Sequence, residues 1–467
     1  MNYTKISDNH IIMLQQIVGV KYVLFDKESL EKYGQDQTED LIFHPEVIVK
    51  PRTPQEIAEL MKFCNQELIA ITPRGAGTGL SGGALPINKG VLLSMERFNA
   101  ILEIDERNLQ ATVEPGVITE VFQNTVKEKG LFYPPDPASK GSCFIGGNLA
   151  ENSGGPKAVK YGVTKDYVLN LEVVLPNGEI VWTGANTLKN STGYNLTQLF
   201  VGSEGTLGVI TKAVFKLLPY PKFNLLMLVP FFKVEDACAS VSEIFKAGVI
   251  PSGMEFMERD AILLGAKYIG DNSFQIADNV QAHLLIEVDG NDLDVLYKDC
   301  EIITEVLQNF NCDEILFADD NAQKERLWKI RRVVGEAVKS HSIYKEEDTV
   351  VPRAELPTLL KGVKEIGSKY GFTSICYGHA GDGNLHVNIL KNNLSNEEWN
   401  NNISLAIREI FSLCVKLKGT LSGEHGIGLV QKEYMDIAFA NTLIKIQKEI
   451  KILFDKNQIL NPGKMFK

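Results

Sequence analysis

Apolar residues near the start of the chain, in IIMLQQIVGVKYVL, fall at the spacing of an amphipathic helix. From 41 to about 118 the rhythm changes to short strands alternating with helices. PEVIVKP reads as a strand, TPQEIAELMKFCNQE as a helix, and ELIAIT as a buried strand. VLLSMERF, ILEIDE and LQATVEPGV follow as strands, with DERN turning between the last two. ITEVFQNTVKEKG is a second helix, stopped by Gly130. LEVVLP and EIVWTG alternate around Asn177-Gly178, a strong hairpin turn, and FVGSEGTLGVITKAVFKLLP is a loop entering a strand. After Pro219 the texture shifts. LLMLVPFF, SGMEFME, HLLIEVDG and DEILFAD read as strands, separated by the helices VEDACASVSEIFKAG and LYKDCEIITEVLQNF, with KERLWKIRRVVGEAV after the last strand. Strand–helix–strand units of this kind predict an antiparallel sheet covered by helices on one face, and hence an α+β fold. The last amphipathic helix, KIQKEIKILFDKNQIL, stops at Asn461-Pro462-Gly463.

At 467 residues the chain is too long for one ordinary core. The excess of 59 acidic over 48 basic side chains makes nucleic acid a poor partner. The longest strongly apolar run, LLMLVPFF, is far short of a membrane span, and MNYTKISDNHIIML lacks the basic-then-apolar layout of a secretory leader. Seven cysteines without a CxxC spacing read as reduced thiols, mostly core filler, in a cytoplasmic setting.

Two stretches break the regular pattern. PRGAGTGLSGGALP, residues 73–86, carries Gly75, Gly77, Gly79, Gly82 and Gly83 directly after a strand. Glycine at that density lets backbone amides turn toward an anion. A Rossmann fingerprint is excluded because its glycines must open a helix, and no helical period follows here. The second stretch, YPPDPASKGSCFIGGNLAENSGG from Tyr133, is held out of regular structure by Pro134, Pro135 and Pro137. A long irregular segment rich in small and amide residues, inside a compact domain, signals a ligand.

Three of the seven histidines fall between 379 and 425. CYGHAGDGNLHVNIL places His379 and His386 on either side of a GDG turn, with Asn388 on the same strand face as His386. TLSGEHGIG supplies Glu424 and His425 after a long helix. Two imidazoles and a carboxylate from separate segments suit a divalent metal with open positions. Zn, Mn and Fe all accept such ligands; Zn or Mn is the first expectation.

PRGAGTGLSGG, PPDPAS, GGNLAENSGG, YG-TKD and VGSEGTLGVIT follow one another in the order and at the spacings found in the vanillyl-alcohol-oxidase (PCMH) superfamily, whose FAD-binding domains this part of the chain resembles. The remainder is similar to its D-2-hydroxy-acid dehydrogenase branch, which includes the FAD-linked subunit of glycolate oxidase and D-lactate and D-2-hydroxyglutarate dehydrogenases. The likeness spans roughly residues 40–467. It implies a lead-in at 1–40, a PCMH-type FAD-binding domain at 41–219, a substrate- and metal-binding domain at 220–425, and a helical tail at 426–467 that returns to the FAD domain.

By that resemblance Pro73, Arg74, Gly75, Ala76, Gly77, Thr78, Gly79, Ser81 and Gly82 wrap the FAD pyrophosphate, and Pro115 and Gly116 line the adenine side. Pro135, Asp136, Ser139, Gly146, Gly147, Asn148 and Asn152 line the flavin; Glu204, Gly208 and Ile210 hold the adenosine part; Asn461 reaches the flavin from the tail. Many members tether FAD through a histidine where this chain has Thr78, so FAD is expected to bind non-covalently. His379, His386 and Glu424 are implied metal ligands and His425 the base. Arg331, with Asn388, binds the substrate carboxylate, and Lys345 is the approximate counterpart of a lysine that grips a second carboxylate. Gly335 stands where those relatives carry a threonine.

The implied activity is oxidation of a D-2-hydroxy acid such as glycolate or D-lactate to the 2-oxo acid, in the cytoplasm or peripheral to the membrane. A hydroxy acid chelates the metal, which acidifies its hydroxyl, and an imidazole with an ordinary pKa of about 6.5 accepts that proton near neutrality. Hydride then passes from C2 to flavin N5. A non-catalytic electron-relay subunit of a larger complex is the alternative. The chain has no cysteine cluster for iron–sulfur, so reoxidation calls for an electron-transfer protein, a quinone, oxygen or a partner iron–sulfur subunit. A homodimer is the base-rate expectation.

Overall fold

In the computed structural model, residues 2–318 and 320–467 are described. The chain folds into two units. The first contains residues 1–154, 163–220 and 424–467; the second contains 155–162 and 221–423.

The first unit has two main sheets and a two-stranded one, in which Leu131–Phe132 pairs with Leu218–Pro219. In one main sheet, Val23–Leu24, Val47–Val49, Val91–Ser94 and Ile71–Arg74 lie side by side, the last three parallel. In the other, Ile101–Asp105, Gln110–Val113, Val209–Lys216, Val168–Val174 and Ile180–Trp182 are antiparallel throughout. Asn177-Gly178 makes the expected hairpin, with Gly178 at φ 83°. The lead-in is not a separate element. Its helix Asp8–Val18 buries Leu14 and Val18 in the same core as Ile57, Ile71 and Leu93, and its edge strand extends the parallel sheet. The tail joins that core too. Ile71 and Leu460 form a β-bridge, with Ile71 N–H donating to Ile459 O at 2.8 Å and Asn461 N–H to Ile71 O at 2.7 Å.

The second unit is one antiparallel sheet of seven strands: Leu316–Phe317, Phe223–Phe231, Ala282–Gly290, Gly253–Glu258, Thr373–Gly378, Asn384–Leu390 and Tyr344–Val350. Helices cover both of its faces rather than one. Leu285, Met257, Ile375 and Tyr377 pack under Arg259–Tyr268, Asn321–Arg332 and Val334–His341. The alternate residues Leu284, Ile286, Val387 and Ile389 are equally buried, beneath the layer of Val234–Lys246, Leu293–Leu307, Leu356–Tyr370 and Asn396–Lys416. Strands with no polar alternation need cover on both sides. The strap 155–162, counted in sequence with the FAD domain, is anchored here instead. Lys157 pairs with Glu287 at 2.7 Å, and Lys160 with Asp289 at 2.7 Å. At the other boundary the units part between Gly423 and Glu424, so Glu424 and His425 belong with the tail and not with the preceding domain. No helix among the described residues is long and apolar enough to cross a membrane.

Leu460 is fully buried where the tail closes the first core. Leu460→Ala should therefore cost about 2–5 kcal/mol, read as a lowered unfolding midpoint in urea; a surface-like change below about 0.5 kcal/mol would show that the tail is not part of that core.

Candidate functional site

In the first unit the Gly-rich loop runs from the strand Ile71–Arg74 with no following helix. Gly75 faces Gly147, whose N lies 3.6 Å from the position a Gly75 Cβ would take, and a Cβ at Gly79 or Gly147 would meet nothing within 4 Å. Ser81 Oγ is buried with no hydrogen-bond partner among the described residues. Open, Cβ-free backbone beside an unpartnered hydroxyl fits a pyrophosphate. Gly146 sits against Pro115, and Gly116 against the carbonyl of Phe98, so these positions allow close backbone approach. GGNLAEN is not irregular throughout: Ile145–Glu151 is a short helix closed by Asn152 at φ 55°.

Several motif side chains are committed to the protein itself. The Arg74 guanidinium folds under the loop and donates to Gln35 O at 2.8 Å, with Tyr33 O at 3.4 Å. The lead-in, silent in sequence, thus supplies its partners. Asn148 Nδ2 donates to Thr119 Oγ1 at 2.6 Å, and Asn152 Oδ1 accepts Lys165 N–H at 2.9 Å. Asn461 Nδ2 donates to Gly83 O at 3.0 Å and Glu204 O at 2.9 Å. Gly208 packs against Val173, and Ile210 pairs with Val173 in the antiparallel sheet. Pro135 O accepts from Gln123 Nε2 at 2.8 Å; Asp136 is buried, and Ser139 O caps the turn at Ser142 and Cys143.

Glu204, expected on the adenosine part, instead turns both carboxylate oxygens onto the chain, accepting from Ile427 N–H at 2.8 Å and Gly428 N–H at 2.6 Å. Burial raises the carboxyls of both Glu204 and Glu151, and the charge of Glu204 raises Glu151 further. The Ile427 and Gly428 N–H donors oppose that rise at Glu204. Lys464 was not found in sequence. Burial pushes its ammonium down to about 8, against the pull of Asp36, Glu204 and Glu151. It donates to Leu85 O at 2.7 Å and Gly83 O at 3.0 Å, fastening the tail beneath the Gly-rich loop.

In the second unit His379 follows the strand Thr373–Gly378, and His386 lies on Asn384–Leu390 after a turn through Gly383 at φ 86°. Their rings meet edge to face with centroids 5.5 Å apart, and each offers a ligand-capable atom within 4.8 Å of the other's. His379 Nδ1 lies 2.8 and 2.9 Å from the two oxygens of Glu255, a fully buried carboxylate on Gly253–Glu258. Burial would raise the Glu255 carboxyl, but the charges of Arg331 and His379 together outweigh it and hold it below its ordinary range. The ionised Glu255 can only accept, so His379 carries its proton on Nδ1 and keeps the Nε2 lone pair for a metal. His386 Nδ1 lies 3.2 Å from Glu346 Oε1, an ion-pair distance without the geometry of a hydrogen bond.

Arg331 Nη2 lies 2.6 Å from Glu255 Oε2, an ion pair whose angle is not that of a hydrogen bond, and its Nε has no hydrogen-bond partner among the described residues. The guanidinium also sits 4.9 Å from the Tyr377 ring centroid. Asn388 is fully buried, and among the described residues neither amide atom has a partner of good hydrogen-bond geometry, the Tyr377 hydroxyl being its polar neighbour. Unsatisfied buried donors beside two imidazoles are what an anionic ligand would complete. Lys345 does not join them. Register pairs Asp348 with His386 and Glu346 with Asn388, so Lys345, opposite Ile389, projects to the other face. The hydroxyl of Tyr377 lies 3.0 Å from where a Gly335 Cβ would stand, filling the room a larger residue would need.

Asp348 accepts from Asn384 Nδ2 at 2.6 Å, Ser422 Oγ at 2.9 Å and Gly423 N–H at 2.8 Å, with Oδ1 4.0 Å from His386 Nδ1. It therefore fixes the chain one peptide bond before Glu424. Glu255 and Asp348 leave no mark in the sequence, because acids inside SGMEFME or YKEED read as the solvent side of a strand.

Two family models match the chain: an FAD binding domain over residues 45–184, and the C-terminal domain of FAD linked oxidases over 220–465. The glycolate oxidase subunit GlcD of Bacillus subtilis is 39% identical over 442 residues, covering 93% of this chain and 92% of that protein. A D-lactate dehydrogenase of Anaerostipes hadrus is 36% identical, covering 99% of this chain and 98% of its own. Among solved structures, p-cresol methylhydroxylase with bound substrate superposes with a TM-score of 0.80 at 18% identity, over 97% of this chain and 96% of that one, a likeness of fold alone.

Glu255→Gln should remove one charge that orients His379 and lower Zn or Mn affinity on the order of 10–100-fold. Calorimetric titration of metal-stripped protein measures this, and unchanged affinity would dismiss Glu255 as a support of a metal ligand.

Proposed function

The chain belongs to the FAD-linked oxidase family, and on that premise we propose that it oxidises a D-2-hydroxy acid, of the glycolate or D-lactate class, to the 2-oxo acid. The observation that carries this reading is the His379 imidazole oriented by the buried Glu255 carboxylate, with the His386 ring 5.5 Å away and Arg331 on the same carboxylate. His379 and His386, with Glu424 as third ligand, are assigned to a divalent metal, Zn or Mn. The Gly-rich loop and the GGNLAEN helix are assigned to FAD, held without a covalent tether because Thr78 offers no ring nitrogen. When bound, the metal acidifies a coordinated hydroxyl and FAD accepts two electrons as hydride.

The chain's own residues do the rest. Arg331 and Asn388 bind the substrate carboxylate and fix which face of C2 is presented. Glu255 holds the His379 imidazole in the tautomer that leaves a lone pair available, and Glu346 stands within ion-pair distance of His386. His425 takes the hydroxyl proton as the C2–H bond breaks with its electron pair and the C2=O bond forms. Lys345 points away from the face that carries His386 and Asn388, which favours a monocarboxylate over a dicarboxylate. The electrons then leave to an acceptor, for which a quinone, an electron-transfer protein or an iron–sulfur partner subunit all qualify; the relative from B. subtilis is itself named a subunit.

The test is an anaerobic flavin spectrum during titration with D- and L-2-hydroxy acids. Bleaching by a D-acid, abolished by chelator and restored by Zn or Mn, is the expected result. A yellow protein that no hydroxy acid bleaches would refute the reading and favour an electron-relay role. His425→Ala should keep FAD and metal but bleach at least about a hundredfold more slowly; near-normal bleaching would remove it as the base.

A further inference from the structure

Glu204 lies in the turn Ser203-Glu204-Gly205 with φ 51°, a conformation that aims its side chain into the protein, where only 5% of it is exposed. Each of its oxygens accepts one backbone N–H, from Ile427 and from Gly428. Those amides follow His425 by two and three residues. The same turn is stitched to the Gly-rich loop, Leu429 N–H donating to Ser81 O at 2.8 Å and Val430 N–H to the same oxygen at 3.3 Å. Met465 N–H donates to Gly428 O at 2.8 Å, adding the tail. Gly426 and Gly428, at φ 79° and 51°, let the chain bend that tightly, and a side chain at Gly428 would strike Ser81 O.

We propose that Glu204 is a positioning residue for the general base: by accepting the Ile427 and Gly428 amides it fixes the backbone from which His425 projects. This rests on the assignment of His425 made above. A carboxylate suits the task because both oxygens accept, and charge-assisted bonds to N–H are roughly twice as strong as neutral ones. Glutamine keeps the length but turns an NH2 toward one of the two N–H groups, so one bond is lost and two donors face each other. Aspartate keeps both acceptors and retracts them by about one C–C bond, ~1.5 Å.

The test compares wild-type holoenzyme with Glu204→Gln and Glu204→Asp in three readouts: FAD Kd by fluorescence quenching, the anaerobic flavin reduction rate against hydroxy-acid concentration, and amide exchange across residues 424–430. Expected for Glu204→Gln are an FAD Kd within about threefold of wild type, a limiting reduction rate at least tenfold lower at little-changed substrate Kd, and faster exchange in 424–430, with Glu204→Asp between the two. A Glu204→Gln enzyme that reduces at the wild-type rate overturns the proposal. So does one whose FAD affinity collapses while its loaded fraction reacts normally, since that is a cofactor-holding residue. If Glu204→Gln does not fold, Glu204→Asp is judged by the same criteria. If wild-type flavin is reduced by no hydroxy acid, the functional reading fails by itself, and exchange in 424–430 decides the turn: equal protection in wild type and variant overturns the hold of Glu204 on it.

Discussion

A carboxylate buried inside an antiparallel sheet has to be neutralised by its neighbours, and the second unit is arranged around that demand at Glu255. Removed from water, an uncompensated charge there would cost several kcal/mol. Two groups answer it: the guanidinium of Arg331, brought by the helix Asn321–Arg332, and the imidazole of His379, brought by the turn after Thr373–Gly378. Each is placed by an element that is itself pinned by apolar packing. Trp328 and Ile330 on the same helix are core residues, and the strand carrying Cys376 and Tyr377 is buried. The polar cluster is therefore held by the hydrophobic core around it. Breaking any one of the three groups would leave a charge or a donor unpaired, which is how such a cluster fixes geometry.

Asp348 plays the corresponding part at the point where the chain leaves this unit. It clamps Ser422 and Gly423, so the direction in which Glu424 departs is set by a fully buried carboxylate on a strand. On the far side of that peptide bond the chain passes into the first unit, where Glu204 takes hold of it three residues later. The short segment that carries Glu424 and His425 is thus held at each end by an acidic side chain that accepts backbone N–H groups. Gly426 and Gly428, both at positive φ, supply the freedom to bend that the fixed ends require.

How much of this was legible in the sequence follows from what each feature depends on. The two glycine-rich stretches, the histidine turn and the strand–helix alternation depend on local composition, and they were readable. Lys345 was misplaced because its role depended on register: a one-residue step along a strand reverses the face, and only pairing with Asn384–Leu390 decides which face is which. Helix coverage on both faces was missed because a continuous apolar strand and a half-buried one differ little over a few residues. Glu255, Asp348 and Lys464 left no local signal, since an ionisable residue is recognised as buried and paired only when its partner, as far as 381 positions away for Lys464 and Gly83, is in place.

The division of labour within the first unit explains why its motifs contain so much glycine and so many amides at once. Asn148, Asn152, Asn461, Arg74 and Glu204 spend hydrogen bonds on the protein, holding loops that no regular structure supports. The glycines do the opposite, leaving backbone uncovered at Gly75, Gly79 and Gly147. A phosphate approaching that surface would be met by peptide N–H groups rather than by charged side chains, a recognition that depends on loop shape more than on any one residue. The motif side chains therefore build the shape, and the residues without side chains present it. That shape is fixed from beneath by Lys464, whose ammonium donates to the carbonyls of Gly83 and Leu85 and so ties the tail to the loop.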